Sequence, residues 1–164
     1  MEEISQNPVS GVEFPRSTAN VRIDDKGRIK LSAEYLHYFE ALPEQDVYVT
    51  SLDRSVAEIF PIAKWRLMEE FFEQHEANPD IFLASKNAAR LGAMAKVDGQ
   101  GRVNIHAELR RALNLDGQEL HAEPYRRSRI QLVPKAAYDA MEDRLASASA
   151  DKLNESMRNA GLPK

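Results

Sequence analysis

The chain of 164 residues contains no cysteine, so disulfide bonds, thiolate nucleophiles and cysteine-ligated zinc sites are excluded. It has no apolar run that approaches the roughly 18 residues of a membrane-spanning helix. Its first residues are acidic and polar, unlike the cationic and then apolar start of a secretory signal. These absences predict a cytoplasmic protein with no membrane partner.

The common catalytic and cofactor patterns are also missing. The sequence has no phosphate-binding loop of the Walker type, no nucleophile elbow and no constellation of paired carboxylates. Its four histidines are scattered, without the i, i+4 spacing of a helical metal site: His37, His75, His106 and His121. We therefore expect no enzyme activity, no cofactor, no metal site and no small-molecule substrate.

The overall charge is mildly acidic, with 26 Asp and Glu against 22 Lys and Arg and a formal net charge of −4. This balance argues against a polycation that coats nucleic acid non-specifically, but it leaves room for a local basic face. The hydrophobic content of 43 %, with 7 Gly and 8 Pro, is typical of a globular protein.

An internal repeat organises the sequence. Asp24–Ile29 and Asp98–Val103 both read Asp-x-x-Gly-Arg followed by a β-branched residue, at an offset of 74 (101 − 27). Later landmarks, such as Pro61 and Pro134, repeat at an offset of 73 (134 − 61), so one deletion separates the two frames. A unit of this size buries too little surface alone, so two copies are expected to pair as an intramolecular pseudo-dimer with one core.

Each copy is predicted to contain a β-hairpin, a short helix, a second β-hairpin and a longer helix. In the first copy we expect strands over residues 21–23, 28–31, 46–50 and 56–60, and helices over 33–39 and from Pro61. In the second we expect strands over residues 94–97, 102–105, 118–123 and 129–133, and helices over 107–113 and from Pro134. Ser32 is a candidate N-cap for the first short helix. A connecting helix is expected over residues 81–92.

Two apolar stripes at helical spacing are predicted to face the core. One lies on the helix after Pro61 and the other on the helix after Pro134: Trp65, Met68, Phe71, Phe72 and His75, then Tyr138, Met141 and Leu145. The resulting organisation is a flexible N-terminal segment, a first repeat, a linker, a second repeat and a fraying helical tail: residues 1–19, 20–78, 79–92, 93–147 and 148–164.

The second copy resembles the AbrB/SpoVT family of swapped-hairpin DNA-binding domains through Lys96–Ile105 and the Glu-Leu-Arg-Arg of residues 108–111. The doubled unit, the Lys-Gly-Arg of residues 26–28 and Pro61 with Trp65 resemble one branch, the MraZ family, over residues 14–146. The chain departs from the family pattern where Ser32 and His106-Ala107 replace a usual proline.

The resemblance implies an α+β fold. Two tandem swapped-hairpin repeats would form a pseudo-dimeric β-barrel with peripheral helices. It also implies a bacterial transcription regulator, associated with the nucleoid, that represses a cluster of division and cell-wall genes. Such a protein binds short direct repeats in promoter DNA through its first hairpin, as a ring-shaped homo-oligomer.

The candidate DNA contacts of the first copy lie on one face of its first hairpin. They are Arg22, Lys26, Arg28 and Lys30, with Gly27 shaping the turn at a positive φ. A β-ribbon of this width enters the major groove, where Lys and Arg bind phosphates and an Arg can pair with a guanine edge. The alternative is that these are solvated charges, with Asp24 and Asp98 pairing the adjacent arginines.

The second copy offers Arg102, Arg110 and Arg111 as candidate contacts, near Lys96 and Asn104. Gln100 stands where the first copy has Lys26, so we predict that the first turn contacts DNA and that the second is its structural counterpart. The basic tip of the second copy's later hairpin is expected to be a solvated loop or to meet an acidic neighbour at a ring interface: Arg126, Arg127 and Arg129.

Two other functions remain open at this point. An antitoxin of the same fold would bind a toxin through its tail, but the doubled domain and the lack of a long acidic tail argue against it. An oligomeric interaction protein that has lost DNA binding is compatible with the net charge of −4 and the replaced prolines.

Overall fold

The structure is a computed structural model in which residues 12–164 are described. Over these residues the chain has an α+β fold of eight strands and six helices. The strands are β1 (Ala19–Val21), β2 (Arg28–Lys30), β3 (Asp46–Thr50), β4 (Ala57–Pro61), β5 (Ala93–Lys96), β6 (Arg102–Asn104), β7 (Leu120–Tyr125) and β8 (Arg129–Pro134). The helices are α1 (Ala33–Glu40), α2 (Ile62–Gln74), α3 (Pro79–Leu91), α4 (Ala107–Leu113), α5 (Lys135–Ser147) and α6 (Ala150–Asn159).

The strands form two antiparallel sheets. Six strands lie in the order β1-β7-β8-β4-β3-β5, and β2 pairs with β6 in a separate two-stranded sheet. The larger sheet therefore has two edges, β1 and β5, and the closed β-barrel implied by the resemblance is not formed. The two short strands that follow the glycine turns pair with each other instead of joining the larger sheet, so no strand bridges its edges.

The first hairpin of each copy is not paired as the sequence predicted. β1 pairs with β7 and β2 with β6, while β5 pairs with β3. Four strands flank the two glycine turns: β1, β2, β5 and β6. Each of them pairs with a strand of the other copy and not with its neighbour across the turn. In the pairing of β2 with β6, the directly opposed Ile29 and Val103 are both buried, at 1 % and 0 % exposed.

The second hairpins form as predicted. β3 pairs with β4 and β7 with β8, and β4 also pairs with β8, which joins the two copies in one sheet. Ile59 lies directly opposite Ile130 in that joint, and both are fully buried. A smaller apolar cluster lies where Tyr48 stacks on Trp65 at 4.4 Å between ring centroids.

The helices agree with the sequence in position but differ in detail. Ser32 occupies the N-cap position of α1, yet its side chain makes no capping bond, and its hydroxyl has no partner among the described residues. On α2, Trp65 is buried but Phe71 is 41 % exposed, so the predicted stripe is wider than the face that is covered. The connecting helix is α3, capped by the Asn78 side chain, which accepts from Asp80 and Ile81 N–H.

The described chain divides into two compact units, one ending at Pro134 and one spanning Lys135–Lys164. The second unit consists of α5 and α6. α6 is a regular helix capped by Ser149 where a fraying tail was expected. The predicted stripe on α5 is exposed at Met141 and Leu145, and α5 has no buried residue. Among residues 12–164, no helix combines the length and apolarity required to cross a membrane.

Candidate nucleic-acid interface

The first glycine turn is held by its aspartate. Asp24 Oδ1 accepts from the backbone N–H of Lys26 and of Arg28, both at 2.9 Å. Gly27 N–H donates to the Asp24 carbonyl at 3.0 Å, and Gly27 has a φ of +81°. The sequence predicted both the aspartate's backbone bonds and the positive φ.

The turn aspartates also bind the turn arginines. Arg28 Nε donates to Asp24 Oδ2 at 3.0 Å, and Arg102 Nε donates to Asp98 Oδ2 at 3.1 Å. Asp98 repeats the backbone contacts, accepting from Gln100 and Arg102 N–H at 2.8 and 2.9 Å. The bond at Nε orients each guanidinium and leaves its Nη groups without a hydrogen bond to any of residues 12–164.

These contacts affect the acidity of the two aspartates. The backbone N–H of Arg28 is the main cause that lowers the pKa of Asp24, and that of Arg102 does the same to the pKa of Asp98. We expect both carboxyl groups to titrate below the ordinary aspartate value of about 3.9 in a carbon-detected NMR titration. Because a depressed pKa stabilises the ionised folded form, the turn contacts should persist above that value and disappear only as the pH falls through the lowered pKa.

A matched variant checks the cause. In Arg102→Lys the backbone donor to Asp98 is retained while the Nε bond is lost, so the Asp98 pKa should stay below the ordinary value. A return to the ordinary value in this variant would show that the side chain, and not the backbone N–H, controls the carboxyl group.

Each glycine turn accepts a backbone hydrogen bond from the other copy of the repeat. Leu31 N–H donates to the Gly101 carbonyl at 2.7 Å, and Ile105 N–H donates to the Gly27 carbonyl at 2.7 Å. Gly101 has a φ of +84°. Each turn therefore depends on the strand that leaves the other turn, so the two turns form one connected unit.

Candidate residues from both copies share one face of the β2–β6 sheet. Arg28 lies opposite Asn104 and Lys30 opposite Arg102, while Ile29 and its partner point to the buried side. Because side chains alternate along a strand and opposed residues share a face, these four polar residues lie together. Lys30 and Asn104 are exposed, and the Arg28 and Arg102 side chains are 28 % and 31 % exposed.

The other candidates lie elsewhere. Lys26 is exposed at the tip of the first turn, and Arg111 is exposed on α4. Arg22 Nη1 donates to the Gly117 carbonyl at 3.1 Å. Arg110 is engaged with Ile105 and Asp116 rather than free for a partner.

The sequence did not predict that this face is built from both copies, β2 of the first and β6 of the second. The 74-residue offset was visible, and it aligns Lys30 with Asn104, but it does not say that β2 pairs with β6. It also missed the loop that follows α4, whose Asp116 and Gly117 hold Arg110 and Arg22. The only signal in the sequence is the one-residue shift between the two frames that falls near this loop.

The three arginines of the β7–β8 tip do not stay together. Arg126 and Arg127 are exposed with φ of +51° and +53°, so non-glycine residues occupy both central positions of the β-turn that Ser128 N–H closes on the Tyr125 carbonyl at 3.1 Å. Arg129 instead lies in the sheet, where its guanidinium contacts the rings of Phe60 and Tyr125, each at 4.9 Å from the centroid.

Two curated proteins similar to this chain share one name. The chain is 31 % identical over 103 residues to the transcriptional regulator MraZ of Acidobacterium capsulatum, a match that covers 62 % of this chain and 70 % of that protein. It is 32 % identical over 108 residues to the transcriptional regulator MraZ of Koribacter versatilis, covering 63 % of this chain and 71 % of that protein. No protein-family model matches the chain.

Proposed function

This chain belongs to the MraZ family of transcriptional regulators, and from that premise we propose that it binds promoter DNA sequence-specifically through its first glycine turn and the β2–β6 face. The observation that carries the proposal is the register of the two-stranded sheet, which lines up Arg28, Lys30 and Arg102 on one exposed side. Lys26 extends this surface at the tip of the turn.

The chemistry of the surface fits a DNA groove. Lys26 and Lys30 are exposed and have no ion pair within residues 12–164, so their ammonium groups can neutralise phosphates. Arg28 is oriented by Asp24, and a guanidinium with a fixed direction and free Nη groups suits bidentate pairing with a guanine. Fixing the side chain before binding lowers the entropy that is lost when it contacts a base.

We propose further that residues 20–78 and 93–147 are two swapped-hairpin repeats and that the protein acts as a ring-shaped homo-oligomer. The cross-copy pairing of β1 with β7 and of β2 with β6 supports the first statement. The ring-shaped oligomer is supported by large apolar side chains that are exposed on α2 and α3, since exposed apolar surface commonly marks protein contacts. These side chains are Leu67, Phe71, Phe82 and Leu83. The family implies short direct repeats as the target and repression of a division and cell-wall gene cluster, on the nucleoid.

The test removes two cations from the first turn. Lys26→Ala with Arg28→Ala should reduce affinity for promoter DNA with short direct repeats at least 100-fold, because a phosphate contact and a base contact are lost together. Fluorescence anisotropy with labelled promoter DNA at several salt concentrations measures this. The wild-type affinity should fall steeply with salt, because several phosphate contacts release counterions.

The control removes the same charge from another part of the fold. Arg126→Ala with Arg127→Ala changes the net charge equally at the β7–β8 tip, and it should leave the affinity within about threefold of wild type. Size-exclusion chromatography should show the same oligomer for both variants. Equal affinity of the first-turn variant and wild type would contradict the proposal, and a shallow salt dependence would favour an interaction protein that has lost DNA binding.

A further inference from the structure

We propose that Arg110 is a positioning residue that clamps the first glycine turn from the opposite copy, and that it does not itself contact DNA. In its relation to DNA the inference rests on the proposed function. Arg110 belongs to α4 of the second copy, whereas the turn it holds belongs to the first. The clamp consists of Arg110 together with Asp116.

The Arg110 guanidinium is bound on two sides. Its Nε donates to the Ile105 carbonyl at 2.8 Å, and its Nη1 donates to both carboxylate oxygens of Asp116 at 3.0 and 2.9 Å. The Arg110 side chain is 24 % exposed and that of Asp116 is 60 % exposed. Arg28 is bound to its aspartate only through Nε, whereas the Arg110 guanidinium is engaged at both Nε and Nη1. Arg110 would therefore have to give up existing bonds before it could pair bidentately with a phosphate or a base.

The same guanidinium lies directly under the first turn. A Cβ built on Gly27 would be 3.2 Å from Arg110 Nη2 and 3.3 Å from Arg110 Cζ, so the flat group packs against the glycine backbone. Ile105 connects the two contacts, because its carbonyl accepts from Arg110 while its N–H donates to the Gly27 carbonyl. Arg110 therefore fixes the strand end on which the turn rests as well as the turn itself.

Within residues 12–164, no arginine is among the nearest contacts of the second turn's Gly101. At the offset of 74, Arg110 corresponds to Leu36 (110 − 74), and a Cβ built on Gly101 would be 3.8 Å from Leu36 Cβ. Both turns share the same internal hydrogen bonds, so the Arg110 contact is a difference between them that lies outside the bonding of the turns themselves. The loop after α4 adds to this difference, because Gly117 accepts from Arg22, just before the first turn.

The structure thus contains an electrostatic clamp on one of two otherwise similar turns. Because a contact residue that moves by about an ångström loses most of its benefit, a clamp on the turn that contacts DNA would raise affinity without touching the DNA. Leu36 at the equivalent place also indicates that Arg110→Leu is compatible with the fold.

Two substitutions separate positioning from direct contact. Arg110→Leu should weaken promoter binding about tenfold while the slope of log affinity against log salt stays unchanged. Lys30→Ala calibrates the assay, since loss of one phosphate contact reduces that slope by about 0.9. Asp116→Asn should also weaken binding, because it loosens the clamp. A slope reduced by about 0.9 in Arg110→Leu, or tighter binding by Asp116→Asn, would show direct contact and overturn the proposal.

A second measurement does not depend on DNA. In Arg110→Leu, the Ile105 amide, which donates to Gly27, should exchange with solvent at least about tenfold faster than in wild type. The Leu31 amide makes the equivalent bond to Gly101, which has no Arg110 atom among its nearest contacts, so its exchange should rise less than that of Ile105 and serves as the internal comparison. Equal protection of Ile105 in variant and wild type would overturn the clamp. If wild type fails to bind promoter DNA at all, the proposed function fails, while this exchange experiment still decides the clamp.

Discussion

Replacing Gly101 with alanine is expected to lower the free energy of unfolding by about 2–3 kcal/mol. Gly101 has a φ of +84°, which an alanine adopts only with strain. The added Cβ would lie 3.1 Å from the carbonyl oxygen of Leu31, which is backbone and cannot rotate away. Leu31 cannot retreat without losing its own bond, since its N–H donates to the Gly101 carbonyl at 2.7 Å.

Gly99 provides the matched control in the same turn. A Cβ built there meets nothing within 4 Å, and its backbone is outside the left-handed region. Gly99→Ala should therefore change the free energy of unfolding by less than about 0.5 kcal/mol. Urea unfolding followed by the fluorescence of the buried Trp65, the one tryptophan in the chain, measures both variants. Equal stability of the two variants would mean that the interlocked turns contribute little to the fold.

The turns themselves were predictable from the sequence because their chemistry is local. Asp24 and Gly27 are three residues apart, and an Asp that accepts nearby backbone N–H groups before a positive-φ glycine needs no distant partner. The same holds for β3 and β4, where two β-rich segments flank a short connection and pair with each other. The apolar alternation also predicted a strand over residues 28–31, where the structure has β2 with Ile29 buried.

The pairing partners of β2 and β6 could not be predicted in the same way. Alternation shows which face of a strand is buried, but it is silent about which strand supplies the neighbour. Ile29 satisfies its burial equally well in a local hairpin or opposite Val103 of the other copy, and only the assembled fold selects the second. The closed barrel failed for the same reason, since closure depends on long-range pairing of the edge strands.

The roles of individual arginines were the least predictable part of the candidate site. Arg110 and Arg111 are adjacent in the sequence, yet one is held by Asp116 and the other is exposed. Arg126 and Arg129 belong to one basic segment, but Arg129 is turned into the sheet. Charge and spacing place an Arg on a strand or helix, whereas its partner depends on residues far away in the sequence.

Arg129 supports the second large effect that we expect. Its partner Glu58 is only 5 % exposed, with Arg129 Nε 3.5 Å from Glu58 Oε2 and Gln131 donating to the same oxygen at 2.8 Å. Burial raises the pKa of Glu58, while Gln131 and Arg129 oppose that change. Arg129→Met keeps the apolar contacts with the neighbouring rings but leaves a buried carboxylate without its cation. We expect a loss of about 3 kcal/mol in the free energy of unfolding near pH 7.

The pH dependence identifies the cause of this loss. Without Arg129 the pKa of Glu58 rises further above its unfolded value of about 4.3, so the folded state takes up a proton first as the solution is acidified. The penalty applies where the folded carboxylate is ionised, and it is relieved as the pH falls through the raised pKa. In urea unfolding, the difference in the free energy of unfolding between wild type and Arg129→Met should therefore shrink as the pH is lowered from about 7 to about 5.

Removing the carboxylate charge tests the same explanation at constant pH. In the double variant Arg129→Met with Glu58→Gln, no buried charge remains, and most of the stability lost near pH 7 should return. The double variant should also show no narrowing of the gap on acidification. The stability lost in Arg129→Met could instead be the same at both pH values and not be relieved by Glu58→Gln. That result would assign the loss to packing against Phe60 and Tyr125, because those contacts do not titrate.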